Sequence, residues 1–250
     1  MAWWQELYDD LLASVLLESP SDEELDETAR FLVRVLEIGT GSRVFDQCCG
    51  IGRLAAAVAS LGAGVVAVDQ ALPYVERARV LSRERGVAVE AHQGDAFDFV
   101  ARPACHAGYN WWTSFGYAAT DAENARMIER ARDSLRPGGR FALDVPNAPG
   151  LVRGFLPSTV DRRPVEGGEL VLVRESALDL ARSVLEKRWS YFLPDGRRVE
   201  RRSTVRLYYP HELRAMFARA GFEDVTLLGS IHGEELAVDS PRCIVLARRA

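Results

Sequence analysis

Of 31 basic residues only one, Lys187, is lysine. Basic charge is also in deficit: 36 acidic residues leave a net charge of −5 and a pI near 5.5. A protein that works on a phosphate backbone carries a basic balance or stripe, so no nucleic-acid partner is expected. Cysteine is scarce: Cys48, Cys49, Cys105 and Cys243 contain no C-x-x-C spacing. That excludes a disulfide framework and a zinc site; the thiols are read as reduced and no metal is expected. No apolar run approaches the roughly 20 residues of a membrane-spanning helix. The opening segment MAWWQELYDD has acids where a secretory signal would be basic, and the expected location is the cytoplasm.

What is present is ordinary for a globular chain: 250 residues, 48% hydrophobic and 27% charged, enough for a substantial core. Helices are predicted over 5–18 and 22–37, the second opened by a Ser21/Glu24 capping box. Apolar strands and helices then alternate. The strands are the segment ending at Asp46-Gln47, then 65–69, the run VAVEAHQGD, 107–114 and 140–146. The helices are 52–61, 72–85 with Pro73 in its first turn, and 121–135. That order implies parallel strands joined by crossovers, covered on both faces. Residues 150–168 read as a Pro/Gly linker. Three strands follow, at 169–180, 183–193 and 197–208, the last two joined by a Pro194-Asp195-Gly196 turn. A helix over 211–220 and strands 225–231 and 243–249 close the chain. The expected organisation is a single domain, 1–250: a helical cap (1–37), a core (38–149), an inserted antiparallel β-meander (150–208) and a core completion (209–250).

The segment Asp46-Gln47-Cys48-Cys49-Gly50-Ile51-Gly52 follows the first strand and opens a helix. It places backbone N–H groups at a ligand, and its glycines let that ligand approach closely. Asp69, at the end of the second strand, is suited to both hydroxyls of a ribose. Gly94-Asp95-Ala96-Phe97 ends the third strand on the same crevice. Gly50-x-Gly52-x-x-Ala55 matches a dinucleotide fingerprint formally, but Asp46 would set negative charge beside a pyrophosphate. A cationic ligand suits it better.

Taken together, Asp46-x-Cys48-x-Gly50-x-Gly52, VVAVD, GDAF, NWWTSFGY (110–117) and LRPGGRFALD (135–144) resemble class I S-adenosylmethionine-dependent methyltransferases. The resemblance spans roughly 30–146 and 225–249. It implies an α/β, Rossmann-like sheet of seven mostly parallel strands, the last antiparallel, with helices on both faces. It also implies S-adenosylmethionine as cofactor. Asp46 and the loop from Cys48 to Gly52 would surround the methionine part. Asp69, with Gln70 beside it, would hold the ribose. Asp95 and Ala96 would meet the adenine. Asn110, Trp111 and Trp112 would lie beside the transferred methyl. Cys48 departs from the usual first glycine.

Methyl transfer from a sulfonium is an in-line displacement, carried largely by positioning; a hydroxyl acceptor also needs a base. His232, in the loop before the last strand, and His211, where the chain re-enters the core, are the candidate bases; His92 and His106 are read as structural. Tyr8, in a cluster with Trp3 and Trp4, would reach the site if the N-terminal helix closes over it. The arginines at 197, 198, 201, 202 and 206 suggest an anionic substrate or a solvated strand face. The Asn/Asp-Pro-Pro-aromatic motif of base methyltransferases is missing at Asn110. The expected reaction is methylation of an amine or hydroxyl on a small metabolite or natural product, by a monomer or homodimer. The rivals are a nicotinamide-dependent oxidoreductase and a non-catalytic S-adenosylmethionine-binding module.

Overall fold

The computed structural model describes residues 2–250. A seven-stranded sheet forms the centre. Its strands are β1 (Arg43–Gln47), β2 (Gly64–Asp69), β3 (Val89–Gln93), β4 (Cys105–Asn110), β5 (Leu135–Pro146), β10 (Phe222–Leu228) and β11 (Arg242–Arg249), in the order β10-β11-β5-β4-β1-β2-β3. Only β11 runs antiparallel to its neighbours. The expected sheet, with the last strand reversed, is what the chain forms.

Strand periodicity sorts the core into two layers. Val44, Val65, Ala67, Ala107 and Tyr109 face one way, onto α3 (Asp22–Val35), α4 (Arg53–Ser60) and α5 (Leu72–Arg85). Phe45, Val66, Val68, Phe141 and Val245 face α6 (Asp121–Ser134) and α8 (Pro210–Arg219). The α3 capping box forms as expected: Glu24 N–H donates to Ser21 Oγ at 3.2 Å and Ser21 N–H to Glu24 Oε2 at 2.7 Å. No helix among the described residues is long and apolar enough to cross a membrane.

Two expectations need correction. The N-terminal helix is not continuous. It divides into α1 (Trp3–Leu7), α2 (Asp10–Leu12) and a π-helical turn, Ala13–Leu17. Asp9 makes the break, because its side chain accepts the Leu12 N–H at 3.0 Å and restarts the helix as a cap. The inserted sheet has four strands, not three: β6 (Ser158–Val165), β7 (Gly168–Asp179), β8 (Val184–Phe192) and β9 (Arg198–Arg206), in that order. The stretch read as linker holds the short helix α7 (Ala148–Arg153) and β6. Proline concealed β6, yet Pro164 is tolerated there because β6 is an edge strand. This second sheet rests on the N-terminal segment, where Leu7, Leu12 and Val15 meet Leu170, Leu172, Trp189 and Tyr191.

Candidate active site

The parallel strands end on one edge of the sheet, and there the cavity opens. Its volume is about 1010 Å³, at the top of the roughly 300–1,000 Å³ of small-molecule sites. The turn after β1 forms one wall. Cys48, Gly50 and Gly52 all have left-handed backbone, with φ of 69°, 54° and 78°. Gly52 admits no side chain, since a Cβ there would lie 2.5 Å from the Ala78 Cβ on α5. Cys48 takes the left-handed conformation despite its side chain, at a cost of about 1–2 kcal/mol. Its Sγ faces the Asn110 amide at 3.9 Å. Burial pushes the Cys48 and Cys49 thiols well above their ordinary range, so both stay neutral.

Asp69 stands at the end of β2, in the cavity wall. Its carboxylate accepts the Gly50 N–H at 2.9 Å and the Ala71 N–H at 3.0 Å. Burial still raises its pKa. Asp95, after β3, accepts the Phe97 N–H at 2.9 Å. Asp46 lies one layer deeper, buried beside Tyr109, whose hydroxyl donates to it at 3.1 Å. Burial, opposed by that hydrogen bond and reinforced by the Asp69 charge, lifts its pKa to about 8.

The N-terminal aromatics close over this end. Trp4 lies 5.9 Å from Phe97, and Trp3 lies 4.8 Å from Tyr117, between ring centroids. The Tyr117 hydroxyl donates to the Thr113 carbonyl at 2.6 Å, so Tyr8 is the donor in the short bond between the two phenols. Burial raises both phenol pKa values, so neither serves as a base near neutrality. After β4, Trp112 and Thr113 are both left-handed, with φ of 57° and 67°. Asp144 holds them: its carboxylate accepts the Trp112 N–H at 3.0 Å and its carbonyl the Thr113 N–H at 3.2 Å. Arg242 grips the same carboxylate through two bonds, at 2.7 and 2.6 Å, and reaches Thr113 Oγ1 at 2.8 Å. Strain of this kind persists only where surroundings over-determine it. Here it turns Trp112 toward the cavity, where it is 41% exposed. The far end is walled by the second sheet, through Arg174, Leu185, Lys187, Trp189, Ser203 and Val205.

A family model described as a methyltransferase domain matches residues 44–139. The chain carries a methyltransferase domain. That match lies on the central sheet and includes the glycine turn after β1. The ubiquinone biosynthesis O-methyltransferase of Xanthomonas axonopodis pv. citri (strain 306) is 33% identical over 107 residues, 43% of this chain and 44% of that protein. The chain therefore matches less than half the length of that relative. The cypemycin N-terminal methyltransferase of Streptomyces sp is 26% identical over 216 residues, 84% of each chain. Among solved structures, the CcbJ methyltransferase from Streptomyces caelestis superposes with a TM-score of 0.81 at 22% identity. That superposition covers 97% of this chain and 98% of the other.

The fold brings Tyr8, Cys48, Gly50, Asp69, Gln70, Asp95, Ala96, Trp111 and Trp112 to the cavity. Gln70 is tied to the cap, donating to the Trp4 carbonyl at 3.2 Å. Asp46, Gly52 and Asn110 lie behind the wall. Asn110 donates to the Gln47 side chain at 3.2 Å, while its own Oδ1 is buried without a partner. The two histidines are elsewhere. His232 is exposed, 3.6 Å from Glu27, and His211 lines a separate cavity of about 320 Å³ with Asp121 and Tyr208. The arginines at 197–206 are largely spent in ion pairs: Arg197 with Asp195, Arg198 with Glu200, Arg201 with Asp9, and Arg206 with Asp121 and Glu212. Tyr117, Asp144, Arg242, Arg174, Lys187 and Trp189 were not singled out as site residues from sequence. Tyr117 had a signal, since it ends the NWWTSFGY segment. Lys187 had another, as the only lysine.

Proposed function

We propose that this protein transfers a methyl group from S-adenosylmethionine to an amine of a small molecule held between the strand ends and the four-stranded sheet. One observation carries the reading: a single cavity is bounded at one end by the glycine turn, Asp69 and Asp95, and at the other by the inner face of the second sheet. Its size suits a cofactor and an acceptor together. The cofactor end fits the cofactor chemically. A carboxylate stands at the end of β2 for the ribose hydroxyls, and Asp95 sits beside apolar Phe97 and Met127 for an adenine. S-adenosylmethionine supplies an activated methyl on a sulfonium.

The chain's part is positioning. Asp69 and the turn hold the cofactor. Trp3, Trp4, Tyr8 and Tyr117 exclude water. Trp112 is set on the acceptor side by the Arg242–Asp144 pair. An amine is favoured over a hydroxyl because none of the four histidines is among the lining residues. An amine needs only to arrive neutral, whereas a hydroxyl needs a base. We place the protein in the cytoplasm, as a monomer or homodimer without a nucleic-acid partner; the acidic balance supports the last point.

Calorimetric titration with S-adenosylhomocysteine, and with NAD in parallel, tests the reading. Micromolar binding of the first alone, about −8 kcal/mol, followed by a mass gain of one methyl in an amine screen, is the expected result. NAD binding alone overturns it in favour of an oxidoreductase. S-adenosylhomocysteine binding without turnover of any amine or hydroxyl overturns it in favour of a binding module.

A further inference from the structure

Which acceptor the far end takes is a question about its charge, and the answer rests on reading the cavity as an acceptor site. Along β8, Lys187 and Trp189 share the inner face, two residues apart. The register sets Trp189 opposite Arg174 on β7, and Lys187 opposite Ser203 on β9. All four reach the cavity. The Lys187 ammonium lies 5.7 Å from the Trp189 ring and the Arg174 guanidinium 5.6 Å from it. Two cations thus meet on one indole.

Their partners are unequal. Arg174 pairs with Asp161 on β6, yet its Nε is buried without a partner. Lys187 makes no ion pair or side-chain hydrogen bond among the described residues, while burial and the Arg174 charge pull its pKa down. A half-buried cation beside another cation, with no counter-charge, is costly. A ligand that brings negative charge removes the cost. The β9 arginines do not compete for it: Arg198, Arg201 and Arg206 are paired to acids of their own, and Arg202 is not among the cavity-lining residues.

We propose that Lys187, assisted by Arg174, binds an anionic group of the methyl acceptor, a carboxylate or a phosphate, with the Trp189 ring flanking it. Charge-assisted hydrogen bonds of this kind are worth about 10- to 100-fold in affinity.

The chain offers its own probe, because Lys187 is the only lysine side chain. Acylation by an amine-reactive ester, followed by peptide mass spectrometry, reads Lys187 against the N-terminal amine as internal control. The protein is tested with and without S-adenosylhomocysteine. The probes are benzoate, inorganic phosphate and neutral benzamide, with sodium chloride at matched ionic strength. The expected result is several-fold slower acylation of Lys187 by benzoate or phosphate, with the N-terminal amine unchanged and no protection by benzamide or chloride. Protection by benzoate alone assigns a carboxylate, and by phosphate alone a phosphate. Equal protection by benzamide and benzoate, or no protection by either anion, overturns the proposal. K187M is expected to weaken benzoate binding about 10- to 100-fold with S-adenosylhomocysteine affinity intact. If K187M fails to fold, the acylation of the natural chain still decides. Absence of S-adenosylhomocysteine binding strikes the methyltransferase reading alone, since Lys187 protection is read separately in the unloaded protein.

Discussion

At the cofactor end of the cavity the wall is made of strand termini that follow one another between residues 48 and 97, and its polar groups are backbone N–H donors and the carboxylates of Asp69 and Asp95. At the acceptor end the wall is the face of a separate sheet, and its polar groups are side chains, chiefly Arg174, Lys187 and Ser203. The first end is acidic and the second basic. The contrast teaches how one cavity would, on the proposed reading, serve two ligands of opposite character: a cofactor whose sulfonium and amine are cationic, and an acceptor that is anionic. It also separates what is generic from what is specific. On the proposed reading, glycine turns and strand-end acids hold a common cofactor, while side chains on an inserted sheet set the choice of acceptor.

The comparison is broken most severely at the turn. Gly52→Val places a side chain against Ala78 on a backbone with φ of 78°. It is expected to cost about 3 kcal/mol or more of stability, read by denaturant unfolding; an unchanged midpoint removes the packing role. Asp69→Ala is expected to keep the fold but weaken S-adenosylhomocysteine binding about 100-fold, since charge-assisted hydrogen bonds are lost. Calorimetry showing wild-type affinity would remove Asp69 from the ribose site.

The buried Asp46 gives a pH signature confined to the cofactor end. Its folded pKa of about 8 exceeds the unfolded value of about 3.9, so the folded state holds the proton more tightly. The contribution is fully present below pH ~4 and is lost as pH rises through about 8. The unfolding midpoint of the cofactor-free protein is therefore expected to fall across that window. Asp46→Asn is expected to flatten the fall, by about 1 kcal/mol or more. Parallel pH curves for the two proteins would contradict this.

Smaller effects sharpen the picture. Tyr8→Phe deletes the hydroxyl that donates to Tyr117, worth about 1 kcal/mol. A midpoint lowered by about 2–4 °C and methyl transfer slowed less than tenfold are expected. His232→Ala and His211→Ala are expected to leave turnover unchanged, because neither side chain lines the cavity. A large loss in either would show that the loops rearrange around the acceptor.

Much of the core was legible because its signals are local. VVAVD reads as a strand covered on both faces, and its final Asp69 lies where the parallel connection must put it. Ser21 and Glu24 announce the start of α3 by a spacing that only a helix rewards. The rest depended on distant partners. Asp9 looks like one more acid on a helix until its carboxylate is seen capping Leu12. Pro164 reads as a breaker until β6 is placed at the sheet edge. His232 has the right chemistry for a base, but the loop sends it to Glu27.

By itself the sequence determined the alternation of strands and helices, the glycine turn and the acids at the strand ends; the cofactor followed from their resemblance to a known family. Periodicity and spacing carry those features, and both are properties of adjacent residues. Only the tertiary structure decided that Tyr8 meets Tyr117, that Arg242 clamps Asp144 beneath a strained Trp112, and that Lys187 faces the cavity without a counter-ion among the described residues. Each of these depends on which strand lies beside which and in what register. A one-residue slip would turn Lys187 to the opposite face.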